Sequence, residues 1–266
     1  EAYEFFKNLP MSQKKIEITK TRFNNEDALN ILILEKNIPF VVDSLNTLIT
    51  KLNLETVFLF HPVISCVRDK DGNLQDILGK YERKDSESLV YIKVLGTFDD
   101  MAIQEIKNKI VEVMNLVSHT LDSWQLMLEK IDNLSHDIQA NLPKQAEKRS
   151  HQEDALDFIT WIKKNNITFL GIIEFDAKKE EITSETGVKS IWRSNIDEMK
   201  ALIRFSKGQD YVNNSVLLGK LNKISPIHRN VLIDYILFKQ CDTNGEYVKG
   251  VVVLGLYGTA IYYQSI

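Results

Sequence analysis

The chain is 266 residues long, 44% hydrophobic and 26% charged, a composition that excludes disorder as its general state. At about 150 residues per domain it suits two domains, with a core large enough to need neither disulfide nor metal. The 33 Lys and Arg against 37 Asp and Glu leave a net charge of -4, which argues against a general nucleic-acid or anionic-membrane surface.

Residues 1–25 read as a polar lead-in. Ala28–Leu34 (ALNILIL) is an apolar run of strand length. Pro39 then opens a helical pattern to Asn53, with Phe40, Val41, Leu45, Leu48, Ile49 and Leu52 three and four apart. Leu54–Val67 reads as a strand in which Pro62 must mark an edge or a bulge. The Asp71-Gly72 dipeptide sets a tight turn, and Ser88–Leu95 is the returning strand. Asp99 or Asp100 caps a helix whose apolar stripe runs from Ile103 to Ile131, and a kink is expected near Ser118–Ser123. Ser135–Ser150, polar and holding Pro143, is the best linker. A second helix carries Ala155, Phe158, Ile159 and Ile162 on one face. Strands follow at Thr168–Asp176, Glu181–Ser184, Ser215–Leu221, Val231–Gln240 and Tyr247–Tyr257, with a helix at Ile196–Phe205. Asn244-Gly245 signals a type I′ hairpin between the last two strands. The first half, strand–helix–strand–strand–helix, predicts an α+β fold with a sheet and helices on one face.

Most chemical signatures are missing. No Gly-x-Gly-x-x-Gly follows a strand, and there is no P-loop, His-Glu-x-x-His or Gly-x-Ser-x-Gly. Asp69–Asn73 starts like a calcium loop, but Leu74 and Lys80 stand where Gly and Glu are needed, so it reads as a turn. No two of the five histidines stand at ligand spacing, and Cys66 and Cys241 read as buried, reduced thiols; no metal site is expected. No leader or membrane-length apolar span is present, which reads as cytoplasmic, with no membrane partner. Beginning without Met and stopping in an apolar run, the chain reads as cut from something longer.

Two places remain as candidate ligand or partner contacts. Asn37-Ile-Pro-Phe-Val-Val-Asp-Ser44 joins a strand to a helix whose unpaired N–H groups favour a carboxylate or phosphate; Asn37, Pro39, Asp43 and Ser44 are its candidates. Asp43 and Ser44 would equally serve that helix end with no ligand present. In Ser225-Pro-Ile-His-Arg229, His228 and Arg229 enter a strand together and can hold an anion, or simply tie a polar loop to the neighbouring strand.

The segment Asn37–Ser44, followed by Phe60-His-Pro-Val63, resembles the N-terminal region of the large bacterial NAD-specific glutamate dehydrogenases. Trp124 in Asp-Ser-Trp-Gln, Thr168-Phe-Leu-Gly171, Ser225–Arg229, Asp234-Tyr235 and Gly255-Leu-Tyr257 follow in the family's order. The family often has an acidic residue where Asn37 stands. The resemblance implies ACT-like, non-catalytic modules: 26–134 as the first, 135–150 as linker, and 151–266 as a second, cut short at its C-terminus. It implies two βαββα-type sheets joined by helices, the last strand of a βαββαβ module being displaced or supplied elsewhere. It further implies a regulatory or assembly role beside a downstream catalytic domain that uses NAD to convert glutamate to 2-oxoglutarate and ammonia. A homo-oligomer and an amino-acid effector are the expected partners, with no cofactor and no catalysis in these residues themselves. A free-standing amino-acid sensor and a purely structural scaffold are the alternatives.

Overall fold

The computed structural model describes residues 1–9, 14–79, 86–187, 189–193, 196–208 and 214–258. They divide into two compact units: Glu1–Val117 with Pro226–Arg229, and Ser118–Ser225 with Asn230–Ile266. Each is an α+β module built on an antiparallel sheet.

The first unit begins with a short helix α1 (Ala2–Phe6) and strands β1 (Lys14–Phe23) and β2 (Glu26–Lys36). Helix α2 (Val41–Lys51) leads to β3 (Glu55–Phe60), β4 (Val63–Arg68), β5 (Leu74–Ile77) and β6 (Ser86–Leu95), and α3 (Asp100–Asp122) follows. The sheet order is β1-β2-β6-β4-β5, with β3 also paired to β6. β3 and β4 are one strand interrupted at His61-Pro62: Glu55–Phe60 pairs one half of β6 and Val63–Ser65 the other. A proline has no N–H for the ladder, so the break falls there. The chain returning from the Asp71-Gly72 turn is β5, paired to β4, rather than Ser88–Leu95, which forms the sheet's centre as β6.

The polar lead-in is structured. β1 pairs with β2 over its whole length, from Lys14↔Glu35 to Phe23↔Glu26, and takes the outer place beside β2. In a βαββαβ module that place holds the last strand; here the N-terminal side supplies it. Its Lys and Thr content hid it, because an edge strand has few buried positions and is kept from further pairing by charge. Alternation sends Leu32 and Leu34 to one face, against Phe5 and Phe6 of α1, Leu9, Cys66 and Leu89. Ile31, Ile33, Val90 and Ile92 are fully buried on the other, the face left for the apolar stripes of α2 and α3. Arg68 locks α1 to the β4–β5 hairpin: it holds Glu87 through two bonds of 2.6 and 2.7 Å and donates to the carbonyls of Phe6 and Gly72. Nearly every donor of that half-buried guanidinium therefore has an acceptor.

The helix expected from Met101 to Ile131 is two helices. Asp99 caps α3 through the N–H of Ala102, and the break falls at Ser123, before α4 (Trp124–Ala140). The division between the units falls within α3, after Val117. The 135–150 stretch is consequently not a linker: residues 135–140 close α4 and 146–150 open α5 (Ala146–Trp161), leaving a short connection at 141–145. Its polar composition belongs to exposed helix faces, while Ile138 beneath it is 1% exposed.

After α5 the backbone makes one wide π-type turn at Ile162–Asn166, where Asn165 adopts a left-handed conformation. β7 (Ile167–Asp176) and β8 (Glu181–Gly187) form a hairpin, and α6 (Lys189–Arg193) and α7 (Ile196–Phe205) lead to β9 (Val216–Ile224), β10 (Leu232–Cys241) and β11 (Tyr247–Tyr257). The order is β8-β7-β11-β10-β9, antiparallel throughout. Ile131, Leu134 and Ile138 of α4 and Ala155 and Ile159 of α5 pack on Phe169, Ile172, Phe238, Val251 and Val253. The β10–β11 connection is not type I′, because only Gly245 has positive φ; it is a type I turn from Asp242 followed by a glycine bulge.

Candidate functional site

Two segments singled out separately in the sequence meet in the first unit. The helix α2 starts two residues after Pro39, at Val41, with Phe40 in the left-handed region at φ 71° and no side-chain cap. Pro39 therefore occupies the preceding turn and is exposed, rather than forming the first helical residue. Ser44 is fully buried, and its Oγ accepts the backbone N–H of His228 at 2.9 Å. Asp43 stands one position earlier on the more exposed side, with Oδ2 3.1 Å from His228 Nδ1. The Phe40 and His228 rings pack with centroids 4.8 Å apart.

His228 also has positive φ, 64°, so two bulky residues in a conformation favouring glycine face each other. Such conformations persist only where surrounding contacts fix them, and here each ring helps to hold the other. Arg229 closes the same loop through its N–H to Ile227 O. Asn37 is not part of this cluster. Its N–H donates to Ser86 O at 3.0 Å and its side chain to Ser86 Oγ, tying the end of β2 to the start of β6.

The structure thus brings Asp43, Ser44 and His228 together, and places Asn37 and Pro39 beside rather than in the contact. Phe40 was missed as a site residue because an aromatic at helical spacing reads as core. The signal that it differs is local: Pro39-Phe40 forms a turn before the helix. Along the same unit, a cavity of about 290 Å³ is bordered by Thr47 and Lys51 of α2, Lys109 and Val113 of α3, and Pro226. Burial pushes the Lys51 ammonium below its ordinary pKa.

Other residues that carry the family resemblance serve packing and backbone closure. His61 Nε2 is hydrogen-bonded to Ser88 Oγ beside the β3–β4 break. Trp124 meets Phe169 edge to face at 5.5 Å. Asp234, 4% exposed, accepts the Tyr257 N–H at 3.0 Å and the Lys220 ammonium at 2.5 Å. Among the described residues no three His, Cys, Asp or Glu side chains are grouped to hold a metal ion, and no helix is long and apolar enough to cross a membrane. Of the two thiols Cys66 is buried and Cys241 half-buried, both without a disulfide.

The helix-flanked antiparallel sheets are consistent with ACT-like modules, and for the first of them comparison of the sequence agrees. Residues 1–110 match the family model described as glutamate dehydrogenase, ACT1 domain. Over 248 residues, 88% of this chain, it is 24% identical to the NAD-specific glutamate dehydrogenase of Halomonas elongata and 25% identical to that of Pseudomonas aeruginosa. The chain spans about 15% of the length of these curated relatives. The resemblance read from the motifs to the NAD-specific glutamate dehydrogenases therefore holds, and the ACT1 match starts at residue 1, where the lead-in was expected.

Proposed function

We propose that this chain is a non-catalytic regulatory and assembly region of an NAD-dependent glutamate dehydrogenase. The ACT1 match over residues 1–110, joined to relatives that are about seven times longer, carries the reading. Conversion of glutamate to 2-oxoglutarate and ammonia, and the NAD it needs, belong to other parts of the polypeptide, which is the partner these modules serve in a homo-oligomer within the cytoplasm. The missing glycine-rich loop supports this assignment.

Within that role, the Asn37–Ser44 corner with His228 and Arg229 is the contact point for a partner or an amino-acid effector. Asp43 suits an ammonium group, and the uncapped N–H groups of α2 suit a carboxylate. Calorimetry with glutamate and aspartate, on the wild type and on Asp43→Ala, tests the effector. Heat at about millimolar ligand that disappears in the variant supports it, whereas no heat in the folded wild type leaves packing as the corner's role. Glutamate-dependent NADH formation by residues 1–266 alone, abolished by a substitution within them, would overturn the non-catalytic assignment.

A further inference from the structure

Glu35 of β2 takes no part in the Asp43–His228 contact or in the Arg68 cluster, yet it is a buried acid. By strand alternation it shares the face of Ile31 and Ile33, the one left for α2 and α3, and it is 2% exposed. One carboxyl oxygen, Oε1, has no hydrogen-bond partner. Directly across the ladder on one side stands Lys14 of β1, its ammonium 4.0 Å from the other oxygen and about 1 Å beyond bonding range. Directly across on the other side stands Ser88 of β6, whose Oγ is hydrogen-bonded to His61 Nε2.

The lysine is engaged elsewhere. Lys14 donates to Asn115 Oδ1 of α3 at 3.2 Å, in an exposed bond. Water readily replaces an exposed neutral acceptor, whereas a bare carboxylate inside the sheet is costly. Among the described residues, Lys14 is the one whose charge acts on Glu35. Of the ionisable groups on the helices above, Asp43 of α2 faces His228, while Lys51 of α2 and Lys109 and Glu112 of α3 border the cavity beside Pro226. Burial raises the Glu35 carboxyl to about 7 against the pull of Lys14, and it lowers His61, which separates the two transitions.

We propose that Glu35 is a proton-operated switch on Lys14. With the carboxyl protonated, the ammonium stays on Asn115 at the surface of α3; once Glu35 has given its proton to water, the ammonium turns inward to pair with it. The flexible four-carbon stem of the lysine allows this without moving β1, because only about 1 Å separates the pair from contact. The α3 surface beside β1 therefore presents an ammonium in mildly acidic solution and loses it in mildly basic solution.

Lysine acylation, read residue by residue at about pH 6 and about pH 8.5, tests this beside a carbon-13 titration of the Glu35 carboxyl. The carboxyl should titrate with a midpoint of about 7. Lys14, whose side chain is 20% exposed, should react roughly threefold or more slowly in the wild type than in Glu35→Gln at the higher pH, and equally in both at the lower. Lys109 on α3, paired with Glu105, should react equally in both proteins at each pH. In Lys14→Met the Glu35 midpoint should rise by about half a pH unit or more, because Lys14 holds it down. A carboxyl that stays charged, or stays neutral, across this range overturns the proposal. So does a carboxyl that titrates while Lys14 reactivity ignores it, which would give the ionised oxygen to Ser88 instead. If Lys14→Met does not fold, the wild-type titration and the Glu35→Gln comparison decide.

Discussion

Near the end of an interior strand each unit carries a shielded glutamate, Glu35 buried and Glu174 half-buried, and the two are held in opposite states. Glu35 on β2 is 2% exposed, with a single lysine, Lys14, 4.0 Å away across the β1–β2 ladder. One oxygen, Oε1, has no hydrogen-bond partner. Burial outweighs the lysine and pushes the carboxyl up to about 7. Glu174 on β7 lies between Lys130 of α4 and Lys249 of β11 at 2.6 Å, and these hold it down at about 2 although burial acts the other way. Burial thus sets the charge of a carboxylate only until a second ammonium arrives at bonding distance.

The largest expected effect tests this contrast through pH. The folded state binds the Glu35 proton more tightly than the unfolded chain. Its contribution is therefore fully present below pH 4.5 and is lost as pH rises through about 7. At roughly 1.4 kcal/mol per pKa unit, Glu35→Gln should stabilise the protein by about 3 kcal/mol at pH 8 and change little near pH 4.5. Glu174 carries the reverse sign: its contribution is present above pH 4.5 and is lost as pH falls through about 2. Glu174→Gln should destabilise by about 2 kcal/mol at pH 7, discounted for the water that reaches its lysines. Denaturant unfolding of both variants at several pH values reads the two signs separately. If Glu35→Gln shows the same stability difference at pH 4.5 and pH 8, the carboxyl does not titrate as described.

The hairpin turns give a second comparison, in which identical local chemistry meets different surroundings. Asp69 and Asp242 each accept two backbone N–H groups within their own turn, and Gly72 and Gly245 follow at φ 81° and 80°. A Cβ on Gly72 would stand 1.9 Å from Leu9 O, which is backbone, whereas on Gly245 it would stand 2.5 Å from Cδ of the Lys148 side chain, which can shift at the cost of its bond to Gly245 O. Gly72→Ala should cost roughly 2 kcal/mol or more and Gly245→Ala about 1 kcal/mol, for the strained turn and the displaced lysine together. Thermal unfolding compares them. Equal shifts would mean that Leu9 yields as readily as a lysine side chain.

Much of this architecture was legible because periodicity reports burial. Tyr247–Tyr257 and Ile196–Phe205 coincide with β11 and α7, and Asp99, Pro62 and Ser123 mark the cap and breaks that their chemistry suggests. What failed was read from polarity. The 1–25 segment hides an edge strand whose half-buried Lys15 and Thr19 bond to the segment around α1 instead of joining an apolar core, and 135–150 hides two helix ends with exposed outer faces. At the site, both halves were visible but not their meeting: His228 and Asp43 are 185 positions apart, and no local pattern encodes a pairing at that range.

The smallest effects dissect the site contact itself, where a buried and an exposed partner hold the same residue. Ser44 accepts the His228 N–H from a fully buried position, so Ser44→Ala strands a backbone donor that water reaches poorly. Such a loss costs about 1–2 kcal/mol. Asp43, with its side chain 56% exposed, faces the His228 ring in water, and pairs of this kind contribute about 0.2–1 kcal/mol. Asp43→Ala should therefore lower the unfolding midpoint less than Ser44→Ala. Limited proteolysis gives the local reading: cleavage within Pro226–Arg229 should accelerate more in Ser44→Ala. Equal acceleration would show that the loop is held by the Phe40–His228 ring contact rather than by the buried hydrogen bond, because both variants leave those rings in place.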